Sequence, residues 1–261
     1  MKYYKKSLGQ NFLIDKNIIK KILSLTDIKA RNVVEIGPGK GALTDEILKK
    51  KPKSLILLEK DNELVKRLNS KYSLNKFIKI LNTDVLKFNF NKLKKKKIIL
   101  FGNLPYNISS QILIKILKTR NIHFKFDDII LMFQKELGEK IIGKYPSEHY
   151  GRLSIISNFK LQVIKKFLVS PNCFFPKPKI LSMVIHFKTF KDKKYNIKEI
   201  SNLEKVTNVL FSNKRKKINK NIKKLLSLNY ISKIKELNLD LRPENIEPKI
   251  YYKITELFEK K

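Results

Sequence analysis

The sequence predicts an α/β protein: a mostly parallel sheet covered by helices, with an antiparallel pair of strands at one edge, followed by a small helical domain. Three observations predict this fold class. Short β-branched runs alternate with helical periodicity through the first half of the chain. Two further apolar runs flank a proline-rich segment at 171–179. From about residue 193 the pattern becomes helical and very basic, so we predict domains at 1–192 and 193–261.

The predicted elements follow one another in a regular order. Asp15 has the side chain of an N-cap, and the residues after it place isoleucine and leucine on one helical face. Predicted strands are 32–37, 54–61, 77–84, 97–103 and 127–134, with 160–170 and 180–190 as the antiparallel pair. Predicted helices between them are 42–50, 63–72, 109–118 and 135–144. Such alternation places ligands at the carboxyl ends of the strands.

Composition limits the classes of function. The 261 residues are 42% hydrophobic, which is typical of a globular chain with a full core. No apolar run approaches the roughly 18 residues of a membrane span, and the basic start lacks the apolar stretch of a signal peptide. A lone cysteine, Cys173, excludes an internal disulfide, and three scattered histidines give no zinc spacing. We therefore expect a cytoplasmic protein with no membrane contact and no metal.

The charge is strongly unbalanced. The chain has 58 Lys and Arg against 23 Asp and Glu, a formal net charge of +35. A field of that size favours polyanions, and RNA, DNA or an anionic membrane would all suit it. The bias toward Lys, Asn and Ile would also arise in an AT-rich genome. Charge therefore favours nucleic-acid binding without naming the partner.

A glycine-rich turn, Gly-Pro-Gly-Lys-Gly at 37–41, joins the first predicted parallel strand to its helix. Glycines let the backbone approach a ligand, and a helix N-terminus favours electron-rich groups. The spacing matches neither the dinucleotide nor the P-loop pattern. Glu59 and Asp84 fall at the ends of the next two strands, where carboxylates can accept ribose hydroxyls and an adenine amine. A ligand-free turn and solvated strand ends are the alternatives, but together these groups predict an adenosine site.

The next strand ends in Asn103-Leu104-Pro105-Tyr106. Pro105 fixes its own φ and keeps Leu104 extended, so local carbonyls point in a set direction. The Asn103 side-chain oxygen and the Leu104 carbonyl can accept both hydrogens of an exocyclic amine and stabilise the positive charge that builds on nitrogen during attack. Tyr106 can stack on the base, a contact worth about 1–3 kcal/mol. A plain turn is the alternative, but its position beside an adenosine site favours a reaction centre.

Further motifs extend the pattern over nearly the whole chain. They are SLGQNFLID (7–15), EIGPGKGALT (35–44), LEKD (58–61), NTDVLKF (82–88), GNLPYNISS (102–110), FQKELGEKI (133–141), YGRLS (150–154), CFFPKPKILSMV (173–184) and NKRKKINKNI (213–222). In this order they resemble the KsgA-type small-subunit ribosomal RNA adenine dimethyltransferases. That family lies within the S-adenosylmethionine-dependent, Rossmann-like class I methyltransferases, so the resemblance implies that fold and that methyl donor.

The resemblance also implies roles that the residues alone do not. The GQNFL segment should close over the methyl donor, so that Asn11 and Leu13 contact it. Gly37, Glu59, Asp84 and Asn103 match the other donor contacts of the family, with Glu59 on the ribose and Asp84 near the adenine. Phe174 should sandwich the target adenine against Tyr106, although a Phe-Phe pair would otherwise favour the core. The implied catalytic residues are Asn103, Leu104, Tyr106 and Phe174.

The implied reaction is two successive methyl transfers to each of two adjacent adenosines. In the family these two adenosines lie in the loop of the 3′-terminal hairpin of small-subunit rRNA, within a pre-30S-type particle. Such a base must leave its stack to reach a donor, and RNA loops present bases of this kind readily. The transfer is direct and needs no metal, and we expect a monomer.

A basic stretch near the C-terminus fits RNA docking. Its side chains would stack within three helical turns and contact phosphates, which position RNA without specifying sequence. The predicted contacts are Lys214, Arg215, Lys216, Lys217 and Lys220. A solvated lysine-rich helix is the alternative. Lys177 stands where the family usually has proline, and the start of the basic stretch also departs from the family pattern, which leaves the docking details open.

Two other functions stay open. Large-subunit rRNA adenine methyltransferases of the macrolide-resistance class usually carry Asn-Ile-Pro-Tyr, whereas Leu104 and the FPKPKILSMV segment favour the small-subunit class. A non-catalytic RNA-binding assembly or transcription factor on the same scaffold would have an eroded donor site. Glu59, Asp84 and Asn103 are all present, which favours the enzyme.

Overall fold

The computed structural model describes residues 10–191 and 194–261. Within them the strands are β1 (Phe12–Leu13), β2 (Asn32–Ile36), β3 (Ser54–Glu59), β4 (Ile78–Asn82), β5 (Ile98–Asn103), β6 (Phe126–Gln134), β7 (Leu161–Val169), β8 (Phe174–Phe175) and β9 (Ser182–Thr189). The helices are α1 (Lys16–Leu23), α2 (Ala42–Lys49), α3 (Asn62–Lys71), α4 (Ser109–Leu117), α5 (Ile122–Lys125), α6 (Lys135–Ile142), α7 (Arg152–Asn158), α8 (Ile200–Phe211), α9 (Asn219–Ile222), α10 (Leu228–Ile231) and α11 (Pro248–Phe258). The five predicted parallel strands are all present, with ends that differ by at most two residues.

The main sheet of the described chain has seven strands in the order β4-β3-β2-β5-β6-β9-β7. The first five are parallel, with Val34 opposite Ile56 between β2 and β3. β9 runs antiparallel to β6, and β7 lies beyond it at the edge. The central strands are buried on both faces, which is why they read as continuous apolar runs. The predicted α/β fold is confirmed, with a mostly parallel sheet and with β9 and β7 together at one edge.

The N-terminal segment is anchored before the sheet begins. The Asp15 carboxylate accepts hydrogen bonds from the backbone amides of Asn17 and Ile18, at 2.8 and 3.0 Å, so the predicted N-cap of α1 is confirmed. The two-residue strand β1 pairs antiparallel with β8. No periodicity in the sequence predicts this pair, because two residues are too few to show an alternation. It ties the start of the described chain to the proline-rich segment.

The described residues form two compact units that are not continuous in sequence. The first contains 10–138 and 162–189, and the second contains 139–161 together with the residues from 190 onward. The predicted boundary after residue 192 falls on residues outside the described part. Segment 139–161 groups with the C-terminal residues because its polar groups pair there: the Tyr150 hydroxyl donates to the Ile246 carbonyl at 2.7 Å, and the Tyr252 hydroxyl donates to the Ile155 carbonyl at 3.0 Å.

Membrane spans can be judged for the described residues alone. None of the helices there combines the length and the apolar character that crossing a bilayer requires.

Candidate active site

A cavity of about 400 Å³ lies at the carboxyl ends of the parallel strands, within the first unit. Its volume is in the range of small-ligand sites, and its position is where open parallel sheets bind ligands. The structure brings eight of the predicted site residues to its wall: Asn11, Leu13, Gly37, Glu59, Asp84, Asn103, Leu104 and Tyr106. They come from β1 and from the ends of four neighbouring strands, β4, β3, β2 and β5.

The glycine turn between β2 and α2 adopts a backbone that favours glycine. Gly37, Gly39 and Gly41 have φ of +67°, +58° and +84°, in the left-handed region that other residues rarely adopt. A Cβ atom on Gly39 would also stand 2.7 Å from the Phe12 ring. The turn therefore presents bare backbone to the cavity, as the sequence predicted.

Glu59 is held by the backbone on three sides. Its carboxylate accepts hydrogen bonds from the amides of Gly39, Lys60 and Asp61, at 3.2, 2.8 and 2.9 Å. Burial raises the pKa of Glu59, and these hydrogen bonds oppose that shift. Each carboxylate oxygen can accept more than one hydrogen bond, so Oε2, which takes the Gly39 amide, keeps capacity for a hydroxyl group.

Asp84 follows β4 at the rim of the cavity. The Lys60 ammonium donates to its Oδ2 at 2.8 Å, and the Leu86 amide donates to its Oδ1 at 2.9 Å. The hydrogen bond from Lys60 holds the pKa of the Asp84 carboxyl below its usual range, so it is an ionised acceptor at neutral pH. An acceptor of this kind suits an adenine amine.

The Asn103 side chain has a fixed orientation. Its Nδ2 donates to the Asn11 carbonyl at 2.8 Å. Because a carbonyl oxygen only accepts, the amide nitrogen must face Asn11, and Oδ1 is left as the acceptor. Asn11 and Asn103 are therefore coupled, although one precedes β1 and the other ends β5.

Tyr106 is held by a residue that the sequence did not single out. Its hydroxyl and the Ser182 hydroxyl are 2.5 Å apart, and Ser182 is fully buried in β9. Burial raises the pKa of Tyr106, against the effect of the Ser182 hydrogen bond, so the phenol is neutral at physiological pH. This contact fixes the ring against β9, the second strand from the end of the sheet, and nothing in the local sequence signals it.

We expect Ser182→Ala to lower the methyl-transfer activity that the motifs predict two- to tenfold, because a net hydrogen bond contributes about 0.5–1.5 kcal/mol and the Tyr106 ring loses its tether. The effect should appear mainly as a higher KM for the predicted RNA substrate. Tyr106→Phe removes the same bond, so the double variant should be no worse than either single one. Additive losses would contradict this coupling, and Ser70→Ala on the exposed face of α3 is the matched control.

Phe174 is not among the residues that line the cavity. It is 3% exposed and lies opposite Leu13 in the β1–β8 pair, within the buried apolar cluster. The neighbouring Phe175 is 55% exposed. The structure thus does not assemble the predicted sandwich of Phe174 and Tyr106, and the stacking role of Phe174 stays a prediction.

Glu35 is a cavity residue that the sequence analysis passed over. It lies in β2, is 2% exposed, and accepts a hydrogen bond from the Thr44 hydroxyl at 2.7 Å. Burial raises the pKa of Glu35 to about 8, and the nearby carboxylate of Glu59 adds to the shift. A glutamate within an otherwise apolar strand is the sequence signal that could have identified Glu35 as a site residue.

The basic C-terminal stretch does not form the continuous helix that the sequence predicted. α8 ends at Phe211, a turn follows, and α9 is a separate single turn of helix. Ser212 is the C-cap of α8, and its hydroxyl donates to the Val209 carbonyl at 2.9 Å. The predicted RNA contacts are all exposed: Lys214, Arg215, Lys216, Lys217 and Lys220. Lys217 also pairs with Asp240, at 2.8 Å.

Metal binding can be judged only for residues 10–191 and 194–261. In them, no cluster of three or more His, Cys, Asp or Glu side chains is arranged to hold an ion.

The parallel sheet and the cavity over its carboxyl ends define a Rossmann-like class I methyltransferase fold, as predicted. The chain belongs to the ribosomal RNA adenine dimethylase family, whose model matches residues 1–260. It is 44% identical to the ribosomal RNA small subunit methyltransferase A of Pelagibacter ubique, over 98% of this chain and 97% of that protein. The protein of that name from Mycoplasma mobile is 39% identical, over 95% of each chain. The family predicted from the motifs is confirmed.

Solved structures agree on the fold. A dimethyladenosine transferase from Plasmodium falciparum superposes with a TM-score of 0.76 at 22% identity, over 95% of this chain and 98% of that one. The 23S rRNA methyltransferase ErmE superposes with a TM-score of 0.68 at 20% identity, over 95% of this chain and 99% of that one. At such identities the likeness establishes the fold alone.

Proposed function

We propose that this protein transfers methyl groups from S-adenosylmethionine to the exocyclic amines of two adjacent adenosines in small-subunit rRNA, two on each. The target is the loop of the 3′-terminal hairpin within a pre-30S-type particle, in the cytoplasm, and the enzyme acts as a monomer. The observation that carries the proposal is the fixed Asn103 amide, whose acceptor oxygen shares one cavity wall with Glu59 and Asp84.

The described residues fit an adenosine-bearing donor. Glu59 keeps acceptor capacity for ribose hydroxyls, and the ionised Asp84 can accept from the adenine amine. The bare backbone at Gly37 lets a ligand approach the sheet edge closely, while Asn11 and Leu13 line the side contributed by β1. S-adenosylmethionine supplies a methyl group on a positively charged sulfur, which keeps the carbon–sulfur electron pair when the methyl leaves.

The chain's own part in the chemistry is to hold and polarise the amine. Asn103 Oδ1 and the Leu104 carbonyl each accept one hydrogen of the amine, which aims the nitrogen lone pair away from them. The same two oxygens stabilise the positive charge that develops on nitrogen. The amine proton leaves after attack, so the site needs no dedicated base.

The second methylation uses the same acceptors in a different way. After the first transfer one N–H remains, so a rotated amine keeps a single hydrogen bond to Asn103 or Leu104. The Tyr106 ring, held by Ser182, supports the flipped base through both steps. The exposed basic residues 214–217 and 220 lie in the second unit and contact rRNA phosphates.

A large-subunit target is the second candidate, because the ErmE superposition shows that the fold alone does not separate the two substrates. Leu104 and the names of the relatives support the small-subunit target. A purely non-catalytic role is less well supported, because the acceptor groups of the cavity are present and hydrogen-bonded.

The deciding experiment uses radiolabelled S-adenosylmethionine and ribosomal subunits that lack the modification. We expect label on small subunits only, mapped to two neighbouring adenosines near the 3′ end, with four methyl groups per particle at completion. Label on large subunits would assign the protein to the second candidate. No label on either subunit, from protein that binds the donor, would contradict the enzymatic proposal.

A further inference from the structure

The β1–β8 pair fixes which of two adjacent phenylalanines faces solvent. Leu13 lies opposite Phe174, and Phe12 lies opposite Phe175. Successive side chains of a strand point to opposite faces, so Leu13 and Phe174 enter the core while Phe12 and Phe175 share the other face. Phe12 is 9% exposed and Phe175 is 55% exposed. Strand pairing therefore determines that Phe175, and not Phe174, is the exposed phenylalanine.

The exposed ring lies next to two residues that line the active-site cavity. Its partner Phe12 lines that cavity and packs on Gly39 of the glycine turn. Lys40, also a cavity residue, has its ammonium 5.1 Å from the centre of the Phe12 ring and 5.9 Å from the centre of the Phe175 ring. A flat apolar surface and a cation thus occur together beside the cavity.

This combination matches the chemistry of a nucleotide. Single-stranded RNA is recognised by stacking of its bases on aromatic side chains, and lysine contacts its phosphates. The Phe175 side chain is more than half exposed, so it offers apolar surface that a stacked base can cover. Lys177 and Lys179, exposed on the same segment, add positive charge that favours RNA over a neutral apolar peptide.

We propose that Phe175 is a stacking platform for the nucleotide next to the target adenosine, with Lys40 near the phosphate of that nucleotide. This rests on the proposed function, in which two adjacent adenosines are modified. While the amine of one adenosine is held at Asn103, the second adenosine is one phosphodiester linkage away from it. The platform keeps that second base ordered outside the cavity and positions the first.

The test compares Phe175→Ala, Phe175→Leu and Phe175→Tyr on unmethylated small subunits. Loss of a stacked base should raise KM about 5- to 50-fold in the Ala and Leu variants, because Leu keeps apolar bulk but not a flat ring. The Tyr variant should stay within about twofold of the unaltered protein, since its ring also stacks. The Kd for S-adenosylmethionine should not change in any of them. Phe124→Ala is the matched control, since Phe124 is 58% exposed on α5.

Each outcome decides the proposal. An unchanged KM for Phe175→Ala, or full activity of Phe175→Leu, would overturn it, the latter by showing that bulk suffices. A weakened donor Kd in all three variants would place Phe175 in the donor site instead. Failure of the unaltered protein to label small subunits would contradict the proposed function. That result is distinguishable from a failure of the Phe175 proposal, which concerns only the difference between the variants and the unaltered protein. If the Ala variant does not fold, the Leu and Tyr variants still decide.

Discussion

Asn103→Ala should lower methyl transfer to small subunits by about 100- to 1,000-fold, the usual effect of removing one preorganised group that stabilises transition-state charge. The variant loses the acceptor Oδ1 and also leaves the Asn11 carbonyl without its 2.8 Å partner. Single-turnover labelling at saturating donor measures the chemical step apart from donor binding.

The matched control for that experiment is Asn69→Ala, on the exposed face of α3, which should keep full activity. Asn103→Ala should also bind S-adenosylmethionine more weakly, because Asn11 is no longer anchored. If Asn103→Ala labels small subunits as fast as the unaltered protein, the amine is not held at this position, and the role given to Asn103 is wrong.

Glu35→Gln should stabilise the ligand-free protein, and by more as the pH rises. Burial raises the pKa of Glu35 from an ordinary 4.5 to about 8 in the folded state. Below pH 4.5 the Glu35 carboxyl is neutral in both the folded and the unfolded protein. Because the folded state binds this proton more tightly, its contribution to the free energy of unfolding is fully present there. That stability is lost as the pH rises to about 8, a loss on the order of 3–5 kcal/mol at about 1.4 kcal/mol per pKa unit.

Chemical denaturation at pH 5, 7 and 9 measures this difference. The Gln side chain keeps an acceptor for the Thr44 hydroxyl and does not titrate, so the gain of the variant over the unaltered protein should grow with pH. Glu244→Gln, at an exposed side chain, should show no such trend. A gain that is the same at all three pH values would mean that Glu35 is already ionised in the folded protein.

Much of the sheet and part of the site could be predicted from the sequence, for physical reasons. The parallel strands are buried on both faces and therefore appear as apolar runs, and their carboxyl ends converge, which groups Glu59, Asp84 and Asn103. The register between β8 and β1, which is about 160 residues away, determines that Phe174 is buried and Phe175 exposed. Local sequence therefore cannot predict which of the two is buried. The Ser182 contact to Tyr106 depends on tertiary structure in the same way.

The basic stretch shows a different limit. Its helical periodicity was misleading, because Ser212 and the residues after it satisfy main-chain groups in a turn rather than in a continued helix. The prediction of exposed cations holds despite the error, since residues 214–217 and 220 are exposed in the observed turn and short helix. Their roles on RNA stay predictions.

The split of the second unit has a consequence for how the protein is made. Segment 139–161 leaves the ribosome before the residues from 190 onward that complete its unit. At about 5–20 residues per second, the roughly 100 residues that follow it take on the order of 5–20 s to appear. The contacts of α7 with α8 cannot form until residues 200–211 have been made. The hydrogen bond from Tyr150 to Ile246 can form only after residue 246 has been made, so the second unit closes after the first.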